Sequence, residues 1–305
     1  MSEEGGGVKA DATAGGAEWV QCTDVEDFVR RRGDELRAHE SLYNLTWDEI
    51  KRARKAGAES KGDNLFFVYG RGDEGSKPSA HATLSKRKQA LLVSEVSPNE
   101  ASALAVFLVS EGVRDLKRAE VSREAAPAFA ESYENATGKS HEVEMNQGLY
   151  EIREVKMPDL GGGKMVVAQE EHRESLHGFI GGFYRDALPQ GQPPSKEQID
   201  GIMQRVLSDG NAYLWKRQED GEVVSMAWVI RDSPSTSSIS LVFTPQCHRG
   251  RGYGSRIVAC LSQARLDAGK TACNLHTDLA NATSNRVYVR VGYTQIWEFS
   301  SLRFS

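Results

Sequence analysis

The residues with the clearest chemical meaning form a short glycine-rich loop. The segment Arg249-Gly250-Arg251-Gly252-Tyr253-Gly254-Ser255 follows a β-branched and aromatic run and leads into a helical pattern. Three glycines in five residues cost backbone entropy on folding, so such a loop usually needs close backbone approach or unusual dihedral angles. A helix that starts there presents unpaired N–H groups and the positive end of its dipole. The loop and its two arginines are therefore predicted to bind an anion, and a pyrophosphate would suit them.

Two other phosphate-binding motifs do not fit the sequence. Gly269-Lys270-Thr271 has the end of a P-loop, but the earlier glycine position is Ala264, and Gly269 closes a helical pattern where a P-loop opens one. The dinucleotide fingerprint fails at its third glycine after Gly250 and Gly252, and the chain that follows is too short for the second half of a Rossmann domain.

A predicted helix in the first half of the chain serves as a control. Ser97 is placed as its N-cap, Pro98 at its first position, and Glu100 completes a capping box. These side chains satisfy the first N–H groups of their own helix. The glycine loop offers no such side chains, so the first N–H groups of the helix after it stay unpaired. One nucleotide site is therefore expected, in the second half.

The elements that position the loop divide the chain into two similar halves. Residues 1–17 are rich in Gly, Ala and charge and are predicted to be a disordered tail. The domain 18–156 starts with a helical pattern from Trp19 to about Ala56, followed by three strands, of which the first is Asn64–Gly70, and then by two helices and a strand. The segment KMPDLGGGK marks the junction, and the domain 157–305 repeats strand, helices, strands, the loop with a helix over Ser255–Asp267, and more strand. The predicted fold class is α/β, with two tandem mixed β-sheet domains flanked by helices.

Composition narrows the class of protein. The chain has 305 residues and a formal net charge of -5, which does not favour nucleic-acid binding. Neither a membrane-spanning apolar run nor a secretory leader is visible, so a cytoplasmic protein without a membrane partner is expected. The four cysteines form no C-x-x-C pair, and His172 and His177 are five residues apart, where two ligands on one helical face need four. We expect reduced thiols and no metal.

The loop and the segment after it carry a family resemblance. The run VFTPQCHRGRGYGSRIVACLSQ, followed by NLHTDLANATSNRVYVRVGY, resembles the acetyl-CoA-binding core of the GNAT superfamily of N-acetyltransferases. The loop matches the motif R/Q-x-x-G-x-G/A, and the second run matches an Asn…Ser-Asn…Tyr helix that ends in Gly-Tyr. The resemblance covers roughly Tyr213 to Trp297. It extends faintly to a tandem arrangement, in which a degenerate N-terminal GNAT-like half precedes a competent one.

The resemblance implies roles for particular residues. The strand Leu241–Thr244 would pair with the pantetheine arm, the loop would hold the pyrophosphate, and the helix after Asn281 would touch the far side of acetyl-CoA. The implied binding residues are Leu241, Val242, Phe243, Thr244, Arg249, Gly250, Arg251, Gly252, Tyr253, Gly254, Ser255, Asn281, Ser284 and Asn285. Tyr288 would lie near the sulfur and act as general acid, because a phenol of pKa near 10 stays protonated at neutral pH.

The predicted function is acetyl transfer from acetyl-CoA to a primary amine, by direct attack in a ternary complex and with a small molecule as the first choice of acceptor. Acetylation of a protein lysine or N terminus is an alternative, and a non-catalytic acyl-CoA-binding module is another. The general base is left open, and Trp215, Met226 and Trp228 are either pocket residues or core. The candidate bases are Glu170, Glu171, His172, His177, His276 and Asp278.

Overall fold

Short alternating strands and amphipathic helices build a mixed α/β fold in the computed structural model. The structure describes residues 17–56, 63–70, 78–187 and 194–305. The predicted disordered tail, residues 1–17, lies outside this part of the chain except for Ala17.

The first half contributes six strands and four helices to the described structure. In chain order they are β1 (Glu18–Gln21), α1 (Val25–Ala38), α2 (Asn44–Ala56), β2 (Asn64–Gly70), β3 (Ala80–Ser85), β4 (Ala90–Val93), α3 (Pro98–Ser110), β5 (Arg118–Ser122), α4 (Ala126–Thr137) and β6 (His141–Ile152).

The second half repeats this order. Its elements are β7 (Gly163–Val167), α5 (Arg173–Ala187), α6 (Lys196–Asp209), β8 (Ala212–Arg217), β9 (Val223–Asp232), β10 (Thr236–Phe243), α7 (Tyr253–Asp267), β11 (Ala272–Asp278), α8 (Ala282–Val291) and β12 (Thr294–Phe304).

The strands form one sheet that runs through both halves. Its order is β1-β2-β3-β4-β5-β12-β6-β11-β10-β9-β8-β7. Each half gives its last strand to the other, because β12 lies between β5 and β6, and β6 lies between β12 and β11. If each strand is replaced by its counterpart in the other half, β1 by β7, β2 by β8 and so on, the strand order reads in reverse. The sheet therefore has pseudo-twofold symmetry about the β6–β12 pair.

Helices cover both faces of this sheet. In the second half, α7 and α8 pack on one face around Ile257, Leu275 and Tyr293, and α5 and α6 pack on the other around Ile180 and Met226. The first half is layered in the same way, with α3 and α4 on one face and α1 and α2 on the other. The predicted α/β fold with two tandem mixed-sheet halves is confirmed, with the addition that the two sheets are continuous. The domain limits 18–156 and 157–305 stay predictions.

Two local predictions at element starts were wrong. The segment from Trp19 was predicted to be helical, but Glu18–Gln21 pairs with β2 as an edge strand, and the helical pattern begins only after the N-cap Asp24. Trp19 is 4 % exposed under α3, where its indole N–H donates to Glu100 O at 2.9 Å. Helix α7 starts at Tyr253, two residues earlier than predicted, because Gly252 supplies the left-handed turn before it.

Glu120 gives the continuous sheet a predicted pH dependence. It lies opposite Ser301 of β12, whose hydroxyl donates to the carboxylate at 2.6 Å. Burial raises the pKa of Glu120 to about 7, although Ser301 and Arg118 act to lower it. Because the folded-state pKa exceeds the unfolded one, this residue's stabilisation is fully present below about pH 4.5 and is lost as the pH rises through 7.

We expect Glu120→Gln to stabilise the protein at pH 8 by about 1–3 kcal/mol and to leave stability at pH 4.5 unchanged. Urea unfolding at both pH values measures this, and Glu124→Gln, at an exposed position with no ion pair to another described residue, is a control for lost surface charge. An equal effect of Glu120→Gln at the two pH values would contradict the assignment.

No helix in the described part of the chain is long and apolar enough to cross a membrane. The cytoplasmic location stays a prediction of the sequence.

Candidate functional site

The central feature of the site is a gap between two parallel strands. β10 and β11 pair only from Thr236 to Ser238, opposite Ala272 to Asn274. Beyond Ser238 and Asn274 both strands continue, to Phe243 and Asp278, without pairing to each other. The facing edges beyond Asn274 therefore keep backbone groups that an extended ligand could pair with.

A distorted stretch of β10 borders this gap. Its register to β9 shifts between Ser240 and Phe243, and Leu241 has a φ of 49°, which is uncommon for a residue other than glycine. The side chains of Leu241 and Phe243 are buried against α5 and α6, while Val242 packs toward the face of α7. The predicted pantetheine strand, Leu241–Thr244, is thus the bulged end of β10, which pairs with β9 but not with β11, and Thr244 lies just beyond it.

The glycine loop follows β10 and opens helix α7. Gly250 and Gly252 have φ values of 76° and 80°, in the left-handed region that favours glycine. Gly252 is the N-cap, and no side chain caps the helix. The first N–H groups of α7 and its dipole therefore face outward at the mouth of the gap, which is the arrangement predicted for an anion site.

Helix α3 occupies the equivalent place in the first half, and its N terminus is closed. The predicted capping box is confirmed, since Ser97 Oγ accepts from Glu100 N at 3.3 Å and Glu100 Oε2 accepts from Ser97 N at 2.7 Å. The two halves share a topology and differ at this helix end.

The three arginines around the loop differ in their contacts. Arg249 forms an ion pair with Asp186, and its Nε donates to Thr244 O at 2.9 Å, so it braces the loop against β10 and α5. Arg256 donates to Asp159 O at 2.8 Å and ties the segment between the halves to the first turn of α7. Arg251 is exposed and forms no ion pair with another described residue, so its charge is available to a ligand.

Three predicted contact residues at the start of α8 hold the local structure. Asn281 caps the helix by accepting from Ser284 N at 3.1 Å. Asn285 accepts from Thr277 Oγ1 at 3.0 Å and donates to the carbonyls of Asp278 and Leu279 at 3.2 Å. These bonds fix α8 against the end of β11, and the contact of Asn281, Ser284 and Asn285 with acetyl-CoA stays a prediction.

Tyr288 lies in the buried cluster under the gap. It shares that cluster with Ile239 and Leu275, the first residues beyond the last paired positions of β10 and β11. Its ring is 8 % exposed, and its centroid lies 6.0 Å from that of Tyr293. Burial raises the pKa of Tyr288 to about 12, so the phenol is protonated throughout the physiological range. The sequence suggested a value near 10, and the difference arises from desolvation.

His276 contacts the first half of the chain, which the sequence did not indicate. It lies on β11 beyond the last paired residue, and its Nε2 is 3.1 Å from Nδ2 of Asn44, a residue of the first half. Burial, with a smaller effect from Arg231, lowers the pKa of His276 to about 3. The imidazole is neutral at working pH and too weakly basic to hold a proton taken from an amine.

The other candidate bases are engaged in local contacts. Glu170 pairs with Arg173, Glu171 lies 3.5 Å from His172, and His177 lies 3.8 Å from Asp200. Asp278 accepts from Ala280 N at 2.8 Å. The general base stays open, and Trp215, Met226 and Trp228 are buried core residues.

Asn44 and Arg231 were missed in the sequence because they come together only through tertiary structure. Arg231 Nε donates to Asn44 Oδ1 at 3.1 Å, and Asn44 Nδ2 donates to Ser41 O at 2.7 Å. Nearby, Asn274 donates to Ser41 Oγ at 3.4 Å. The corner between α1 and α2 thus lies against the second-half sheet beside the gap.

Comparisons with known proteins match this geometry. The family model described as FR47-like protein matches residues 217–302, which include β10, the loop, α7, β11 and α8. The uncharacterised N-acetyltransferase YycN of Bacillus subtilis is 23% identical over 113 residues, which cover 35% of this chain and 72% of that protein. Over part of its length the chain is therefore similar to an N-acetyltransferase, in agreement with the GNAT resemblance of its sequence.

Solved structures show how far the similarity of fold extends along the chain. A GCN5-related N-acetyltransferase from Sphaerobacter thermophilus is similar over 93% of this chain and 95% of its own, with a TM-score of 0.60 and 13% identity. A Drosophila protein is similar over 95% of this chain and 99% of its own, with a TM-score of 0.62 and 13% identity. At such identities the likeness concerns the fold, and it includes both halves.

Two of the thiols of this chain, Cys260 and Cys273, are unsuited to act as nucleophiles. All four cysteines are free. Burial raises the pKa of Cys273 to about 12 and raises that of Cys260, so neither is a thiolate at neutral pH. Within the described residues, no group of three or more His, Cys, Asp or Glu side chains could hold a metal ion.

Proposed function

We propose that this protein is a GNAT acetyltransferase, which transfers an acetyl group from acetyl-CoA to a primary amine by direct attack of the amine within a ternary complex. The observation that carries the proposal is the combination of an unpaired strand edge with an uncapped helix N terminus at the mouth of the same gap. The strand edge suits the amide-containing pantetheine arm, and the helix end suits the pyrophosphate. Acetyl-CoA supplies the activated thioester.

The chain's own residues position and stabilise this reaction. The N–H groups of Gly254 and its neighbours bind the pyrophosphate, and Arg251 adds a positive charge. Backbone groups of β10 beyond Ser240 orient the arm along the gap. Tyr288 donates a hydrogen bond to the departing sulfur as the amine forms its amide bond and the carbon–sulfur bond breaks. CoA leaves as the thiolate, and the proton lost by the amine passes to solvent water.

A small amine is the favoured acceptor. The corner of the first half, through Ser41 and Asn44, covers the sheet face beside the gap and contacts Asn274 and His276. This cover leaves less room for an extended peptide than an open groove would. Acetylation of a protein lysine or N terminus is the second choice.

Calorimetric titration with acetyl-CoA, with NAD as the control ligand, tests the proposal first. We expect about one acetyl-CoA per chain, because α7 is open at its N terminus and α3 is capped. CoA release with a panel of amines then separates an enzyme from a module that only binds acyl-CoA. A folded protein that does not bind acetyl-CoA would overturn the proposed function.

A further inference from the structure

Arg231 is a cation beside the gap without an anionic partner. It lies opposite Ser238, the last residue of β10 that pairs with β11. Its Nε donates to Asn44 Oδ1 at 3.1 Å, and no carboxylate of the described residues lies within the 4.0 Å of an ion pair. The two terminal nitrogens make no hydrogen bond to another described residue.

The neighbouring charges do not compensate Arg231. Asp48 of α2 raises the pKa of Arg231, but its carboxylate is already paired with Arg52 at 2.6 Å. Arg205 of α6 adds a further positive charge. Burial, with Arg52 and Arg205, lowers the pKa of Arg231 to about 10, which still leaves the guanidinium charged at neutral pH.

A half-buried charge without a partner is costly, and proteins usually pair it. Here the side chain is held by Asn44 through one nitrogen, so its orientation is fixed while its outer edge stays available. A planar guanidinium held in this way suits a carboxylate, which it binds through two parallel hydrogen bonds.

We propose that Arg231 binds a carboxylate of the acceptor, so that the acceptor is an amino acid or a similar small amine that carries a carboxylate. Asn44 is a positioning residue that orients Arg231, which gives the first half a part in recognition by the second. The inference rests on the proposed function and specifies its acceptor. Because Arg231 lies where β10 and β11 begin to separate, a short amino acid bound there would hold its amine near the thioester.

Matched pairs of amines test the proposal in the full-length protein. Glycine is compared with glycinamide, and phenylalanine with phenylalaninamide, at saturating acetyl-CoA. We expect kcat/KM to be at least about 10-fold higher for the carboxylate member of the preferred pair. The amine of the amide is less basic than that of the amino acid, so a larger fraction of it is neutral and reactive at pH 8. This difference alone would favour the amide, so a preference for the carboxylate must come from binding.

Substitutions then assign the preference to Arg231. Arg231→Gln should lower kcat/KM for the carboxylate by about 30-fold or more and change that for the amide by less than about 3-fold. Arg231→Lys should recover part of the loss, because it keeps the charge but loses the fork geometry. Asn44→Ala should raise KM for the carboxylate and leave kcat for the amide nearly unchanged. Arg265→Gln, which removes a pair with Asp232 on the same hairpin, controls for general disturbance.

Each outcome decides between the hypotheses. Equal use of both members of every pair by the wild type, or equal losses for both in Arg231→Gln, would overturn the carboxylate site and leave acetyl transfer standing. Absence of acetyl-CoA binding in the calorimetric titration would overturn the proposed function itself. If Arg231→Gln does not fold, the Arg231→Lys comparison and the wild-type preference still decide.

Discussion

Replacing Tyr288 by phenylalanine is expected to lower kcat by roughly 10²–10³-fold, within the range that a positioned hydrogen-bond donor to a developing negative charge contributes. The KM for acetyl-CoA should change little, because the ring stays in place beside Ile239 and Leu275. The hydroxyl makes no hydrogen bond to another described residue, so its removal should not destabilise the fold. Steady-state kinetics and a thermal melt measure these three quantities.

Tyr293 provides a matched control for this substitution. Its ring lies next to that of Tyr288, and its hydroxyl is 2.8 Å from Ser262 Oγ in a fully buried site. Tyr293→Phe should therefore cost about 1 kcal/mol of stability while kcat stays near the wild-type value. If both variants lose activity in proportion to stability, Tyr288 has only a packing role.

The raised pKa of Tyr288 limits how it can act. With a value of about 12, transfer of its proton to a thiolate of pKa roughly 8–9 is uphill. The phenol therefore serves first as a hydrogen-bond donor to the developing charge on sulfur. A pH–rate profile of the wild type should show no loss of activity from Tyr288 between pH 9 and 11, because the residue stays protonated there.

Features that depend on neighbouring residues could be predicted from the sequence. The capping box of Ser97 and Glu100 and the left-handed glycines before α7 are encoded within a few positions. The strand Asn64–Gly70 was predicted with its observed limits, because it is an apolar run between turn residues. These local features define the loop that is proposed to hold the pyrophosphate.

Features that depend on distant pairing could not be predicted. The patterns of β6 and β12 show two strands, but not that each lies in the other half's sheet, since register is set by contacts far apart in the chain. The wrong prediction at Glu18–Gln21 has a similar origin, because pairing with β2 and burial of Trp19 under α3 override a local helical pattern. Asn44 and Arg231 are separated by 187 positions and carry no motif.

Placing an aspartate at Gly254 should separate stability from binding at the helix end. Gly254 lies in the first turn of α7, and a Cβ there would meet Thr244 Oγ1 at 3.6 Å, an ordinary contact. A carboxylate in this turn interacts favourably with the helix dipole by about 0.3–1 kcal/mol. It also takes the place that the proposed pyrophosphate needs. Gly254→Asp should therefore keep or raise the melting temperature and weaken acetyl-CoA binding by at least about 10-fold.

Gly254→Asn is the matched control, because it has the same shape without the charge. The ratio of acetyl-CoA dissociation constants between the two variants isolates the electrostatic effect, and it should shrink as salt is raised because screening shortens the range of the repulsion. Equal affinities for Asp and Asn at low salt would mean that the pyrophosphate does not lie at α7. The proposal is supported if this ratio falls with salt while the melting temperature of Gly254→Asp is not lowered. The same negative charge would then stabilise the folded helix and weaken acetyl-CoA binding, as expected if the phosphates lie at the N terminus of α7.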